Sequence, residues 1–137
     1  NVIPTSATLI SNMRLNPADT VDTAYNYLKK TVNDENVDIE IMASVNPSRI
    51  SATDSIGFEK ISRAVASTWK GSLVSPYLMV QCSDSRHYGK ISDKVYRFSA
   101  MDLTSEERAT IHGNNERIRI ETIKKAVEFY IRLMRQC

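Results

Sequence analysis

Between residues 119 and 136 the apolar side chains Ile120, Ile123, Val127, Tyr130, Ile131 and Met134 recur at helical spacing. Positions three and four apart share one face of an α-helix, so this stretch folds as a long amphipathic helix. Basic residues crowd its end, where they complement the negative pole of the helix dipole. The stripe is expected to be core. With 137 residues, 42% of them hydrophobic and 25% charged, the chain has room for one ordinary core or parts of two small ones.

The formal net charge is only +2, and no basic run exceeds two residues. That leaves no electrostatic footprint for nucleic acid. No apolar stretch approaches the roughly 20 residues that span a bilayer, and nothing resembles a secretory signal. The cysteines, Cys82 and Cys137, have no spacing that marks a disulfide framework or a zinc finger. They lean the reading toward a reducing, cytoplasmic compartment. The chain opens on Asn1-Val2-Ile3-Pro4 without a methionine, as though cut from something longer.

Residues 5–15 alternate partially and suit a half-buried strand. After Asn16-Pro17, Asp19 or Thr20 can cap a helix that runs to about Val32, with Val21, Ala24, Tyr25, Leu28 and Val32 as its stripe. Val37, Ile39 and Ile41 alternate with polar residues, which predicts another strand. A second helix opens near Thr53 or Asp54, carries Ile56, Ile61, Val65 and Trp69 on one side, and is closed by Gly71. Residues 73–80 form an apolar run that reads as a buried strand, and residues 95–98 as a short one. Thr104-Ser105-Glu106-Glu107 carries the opening signals of a short helical turn. The expected architecture is α+β over residues 1–43 and part of an α/β sheet over residues 44–137.

Two polar clusters end runs that favour burial. One is Ser83-Asp84-Ser85-Arg86-His87-Tyr88; the other, about 25 residues on, is His112-Gly113-Asn114-Asn115-Glu116. A neutral imidazole on a loop can bind zinc, and Glu116 lies close enough to orient its ring or to serve as a cap. A catalytic zinc needs about three protein ligands. A set of His87, Asp84 and His112 is conceivable, but a His87 simply packed in its loop is the commoner case. Arg86 can grip a carboxylate with its two-pronged guanidinium, or pair with Asp84 inside the loop. Arg14, on spacing alone, is a solvated strand residue. Cys82 beside Asp84 and His87 lies too near them in sequence for nucleophile–base geometry.

Taken in order, these clusters resemble the two-zinc carboxypeptidase/aminoacylase family of metallohydrolases. Asn1-Val2-Ile3-Pro4 with Arg14 resembles its lid motif, and Ser83-Asp84-Ser85-Arg86-His87-Tyr88 its Gly-Thr-Asp-Ser-Arg loop. Residues 95–99 and Ile111-His112-Gly113-Asn114-Asn115-Glu116 resemble its last strand and last ligand loop, closest to the carboxypeptidase S and fatty-acyl amino acid hydrolase branch. The resemblance implies half of a split α+β lid domain over residues 1–43, followed by the C-terminal part of an α/β catalytic domain. It implies that His112 is a ligand to one of two zinc ions. Asn1 and Arg14 on the lid, with Ser83 and the Cys82 backbone, would bind the carboxylate of a small peptide or N-acyl amino acid. Asp84 and Arg86 would shape that loop, with Glu116 behind the metal ligand. A homodimer through the lid is implied as well.

Two departures stand out. Gln81-Cys82-Ser83 replaces the family's glycine-containing approach to the aspartate, which narrows the pocket there. The family's other metal ligands and its Glu-Glu pair have no counterpart in these residues, so this segment alone is expected to be inert. The rival readings are a non-catalytic dimerisation or binding module of the same ancestry, and a thiol enzyme around Cys82.

Overall fold

The computed structural model describes residues 2–79 and 81–137. They form five helices: α1 (Val21–Val32), α2 (Ile56–Thr68), α3 (Ser85–Tyr88), α4 (Ser105–Ala109) and α5 (Ile120–Met134). The chain divides into two compact units, Asn1–Arg49 and Ile50–Cys137.

In the first unit Thr20 caps α1. Its hydroxyl accepts from the Thr23 backbone N–H while the Thr23 hydroxyl accepts from Thr20's, so two otherwise orphaned donors are satisfied. Asn46 reaches back to accept from Val21 N at 2.9 Å. The helix stops where Asn33 turns left-handed, at φ 43°, and donates to Lys29 O. Val21, Ala24, Tyr25 and Leu28 are half-buried, as their spacing predicts, while Val32 is exposed. Tyr25 and Lys29 line a shallow recess of about 190 Å³ together with residues 37–40.

The second unit is built on α2 packed against α5. Phe129, 1% exposed, is the keystone, with Ala64, Val65 and Ala100 around it and Ile61, Trp69, Ala126 and Leu133 at the margin. The Trp69 and Phe98 rings stand 5.8 and 4.9 Å from Phe129's. Such tilted aromatic contacts add to the area they bury. The free carbonyls ending α2 are satisfied from α5: Arg132 donates to Ser67 O, and Lys125 to Thr68 O at 3.3 Å. Ser55 caps the other end of α2, accepting from Phe58 N.

Two expectations need correction. No strand forms among the described residues: 5–15, 37–42, 73–79 and 95–98 lack regular structure. Alternation marks a segment able to pair, but a strand exists only when a neighbour accepts and donates the ladder hydrogen bonds, and these segments do not ladder with one another. At Val95 a side chain stands where a neighbouring strand would be. The Ser51 hydroxyl accepts from Val95 N at 2.9 Å and donates to Val95 O at 3.0 Å. The described fold is therefore helical, without the α+β and α/β sheets expected of it.

The second correction concerns α5. The stripe expected to be core is exposed: Ile120 is 71%, Val127 54% and Met134 64% accessible. The buried seam runs instead through Thr122, Ala126, Phe129 and Leu133. Ala126 and Leu133 pack against the core that Phe129 fills, while the Thr122 hydroxyl donates to Asp102 O at 3.2 Å.

Candidate functional site

His112 lies in the loop joining α4 to α5, and the loop is tied down at both ends. Thr104 and Glu107 cap α4 reciprocally: the Glu107 carboxylate accepts from Thr104 N at 2.8 Å, and Glu107 N donates to the Thr104 hydroxyl. Glu107 is buried, and its second oxygen accepts from Arg119 Nε at 2.9 Å. Arg119 also donates to Asp102 O at 2.6 Å, a carbonyl shared with the Thr122 hydroxyl. The Thr104 backbone N–H holds the Glu107 carboxyl below its usual range, helped by the Arg119 cation and opposed by burial.

Between these anchors the chain turns tightly. Gly113 N donates to Thr110 O at 2.8 Å, and Glu116 N to Gly113 O at 3.3 Å. A side chain at Gly113 would meet Thr110 O at 3.0 Å, which accounts for glycine there. His112 itself is left-handed, at φ 65°, a region that few residues other than glycine enter easily. Its side chain is exposed, and none of the described residues hydrogen-bonds its ring. Glu116 does not orient that ring; its carboxylate accepts from His112's backbone N–H at 3.3 Å and so fastens the turn.

The second cluster forms a single helical turn, α3. Ser83 and Ser85 share a hydroxyl–hydroxyl hydrogen bond, and Arg97 donates to the Ser85 hydroxyl. Asp84 precedes the turn without a side-chain capping bond, and its carbonyl accepts from His87 N at 2.9 Å. Among the described residues Arg86 pairs with neither carboxylate nor backbone. Its guanidinium donates to Cys82 Sγ at 3.4 Å and to His87 Nε2 at 3.3 Å. Cys82, Ser83, Asp84 and Arg86 are all exposed. No hydrogen bond or ion pair among the described residues joins this turn to the His112 loop. Arg14 is exposed in the first unit, and Asn1 lies outside the described residues.

Among the described residues no three His, Cys, Asp or Glu side chains converge as a metal would require. The exposed imidazole of His112 offers one donor, short of the three or so protein ligands a catalytic zinc needs. Among the described residues no helix is long and apolar enough to cross a membrane. Sequence reasoning missed the Glu107–Arg119–Asp102 clamp. The Thr104-x-x-Glu107 spacing announces a cap, but nothing local shows that Arg119, twelve residues on, completes it.

Comparison with known proteins adds what this geometry lacks. The chain is 38% identical to an N-fatty-acyl-amino acid synthase/hydrolase of Xenopus tropicalis and 33% identical to one of Danio rerio, each over 98% of this chain. It is 29% identical to a probable carboxypeptidase S-like protein of Dictyostelium discoideum, again over 98% of its length. The chain is a homologue of these proteins. That similarity is consistent with the metallohydrolase and carboxypeptidase family that its motifs resemble. The homology takes in both units but covers only 26% of each of these relatives. No protein-family model matches the chain. No solved structure matches it.

Proposed function

We propose that the chain is one part of a zinc-dependent amidohydrolase or metallopeptidase that cleaves an amide bond next to a free carboxylate, in a peptide or an N-acyl amino acid. The observation that carries the reading is His112: an exposed imidazole held on a clamped left-handed turn, in a chain homologous along its length to such hydrolases. A ring with no hydrogen-bond partner among the described residues, on a loop fixed at both ends, can meet a metal without reorganising.

In this reading His112 supplies one ligand of a two-zinc centre, and the remaining ligands come from polypeptide outside these residues, as does the general base. Bound zinc would polarise the scissile carbonyl and lower the pKa of water. Arg14 and Asn1, with the Ser83 hydroxyl and the Cys82 backbone, hold the substrate carboxylate, and a guanidinium offers it two parallel N–H donors. The Arg86–Cys82 contact shapes that turn. The lid corresponds to residues 1–43, and pairing of two copies through it gives a homodimer. Residues 1–137 alone are inert.

The test is the full-length protein carrying His112→Asn, which tolerates the left-handed backbone but removes the imidazole. Zinc content by mass spectrometry is expected to fall, and hydrolysis of an N-fatty-acyl amino acid to drop by at least the roughly 10–100-fold that loss of a supporting partner costs a metal site. Unchanged metal and turnover would overturn the proposal.

The lack of a converging donor group among the described residues favours a second reading, a non-catalytic binding or dimerisation module of the same ancestry. A full-length sequence without a His-x-Asp and a Glu-Glu pair, in a protein that takes up no zinc, would decide for it.

A further inference from the structure

The loop that carries His112 is not held by a core. Residues 111–119 are all exposed, so apolar burial does little to choose among the loop's conformations. Yet the backbone at His112 stands at φ 65°, and a residue with a Cβ stays there only where its surroundings over-determine it. Those surroundings are polar and begin at the base of the loop. Glu107 is buried on α4, Arg119 stands at the N-cap of α5, and the bond between their side chains closes the twelve-residue span that separates them. The same guanidinium donates to Asp102 O, ahead of α4, where the buried Thr122 of α5 donates as well. From this base an unbroken run of hydrogen bonds leads to His112. Thr110 donates to Glu107 O through its N–H at 3.1 Å and its hydroxyl at 2.7 Å. Gly113 N then donates to Thr110 O, Glu116 N to Gly113 O, and His112 N to the Glu116 carboxylate.

We propose that Arg119 is a positioning residue for His112: paired with Glu107 across the base of the loop, it holds the turn in the conformation that leaves the imidazole exposed. The role rests on the proposed reading of His112 as a metal ligand and adds a residue that touches neither metal nor substrate. A ligand on an open, wandering loop must be ordered when the metal binds, and that loss of freedom weakens binding. A ligand already in place avoids the loss. Arginine suits the task. Its planar fork reaches the Glu107 carboxylate and the Asp102 carbonyl together, which the compact ammonium of a lysine on its flexible stem does less well. The contact to Glu107 is also charge-assisted, the stronger kind of hydrogen bond.

The test compares Arg119→Met, Arg119→Lys and His112→Asn in the full-length protein. Lys124→Met, at an exposed ion pair of α5, controls for the loss of a positive charge. Zinc affinity is read by competition with a chromophoric chelator. Loop order is read by hydrogen-exchange mass spectrometry of the metal-stripped protein over residues 108–118, with α2 as internal reference. Arg119→Met is expected to weaken zinc binding by the roughly 10–100-fold that loss of a supporting partner costs a metal site. It should also speed exchange in the loop roughly tenfold while α2 keeps its wild-type protection. Arg119→Lys should fall between, and Lys124→Met should change neither reading. Wild-type affinity and exchange in Arg119→Met overturn the proposal. So does exchange that quickens in α2 as much as in the loop, since Arg119 would then support the whole unit and not this turn. Zinc lost from His112→Asn but kept by Arg119→Met leaves the metal reading standing and ends this proposal. Zinc kept by both sinks the metal reading, and loop exchange then decides the positioning role: faster in Arg119→Met sustains it, unchanged refutes it.

Discussion

His112 is constrained twice, once by its backbone and once by its ring. At φ 65° the chain admits glycine and asparagine readily and β-branched residues poorly. His112→Val is therefore expected to destabilise the second unit by about 1–2 kcal/mol relative to His112→Asn, measured by urea denaturation. The Glu107 carboxylate a few residues earlier carries a pH dependence. Its pKa lies below the ordinary value in the fold, so the stability it contributes is fully present above the unfolded value near 4.5. That contribution is lost as pH falls through the lower folded value. Glu107→Gln should lower stability at neutral pH and flatten the acid limb of a stability–pH profile. The imidazole was legible in sequence because polar neighbours surrounded it. The clamp behind it was not, because Arg119 reaches the Glu107 carboxylate and the Asp102 carbonyl only through the fold.

At the scale of elements, the helices form where caps and periodicity agree. Thr20 and Thr23 close α1 reciprocally, so Thr20→Ala is expected to cost about 1 kcal/mol of the first unit's stability, read by circular dichroism against denaturant. The second unit rests on one large side chain. Phe129→Ala should cost about 3–5 kcal/mol, a large fraction of what a small domain has, and its denaturation midpoint should collapse accordingly. Sequence periodicity located α5 but selected the wrong face, since the period records which positions are apolar and not which neighbour receives them. Thr122 and Ala126 attract no attention in a hydropathy pattern, yet both lie on the inward face of α5 with Phe129. The strand expectations failed for a related reason. Alternation at residues 37–42 or 95–98 is local, while the partner that would make it a strand is not.

Over the whole molecule motif order pointed to a family, and similarity along the chain is consistent with it. Which residues share a site was not legible, because ligands held on separate pieces of chain leave no local spacing to read. The division into two units is itself testable. Arg49 is exposed in an irregular stretch at their boundary, so limited trypsin digestion should cut after it and release residues 50–137 with their helical signal intact. The placement of Trp69, the single tryptophan of the chain, against Phe129 has a practical corollary. Indole emission watches only the α2–α5 seam, whereas backbone ellipticity registers α1 as well. Two melting curves recorded on one sample would thus reveal whether the halves come apart together or in turn.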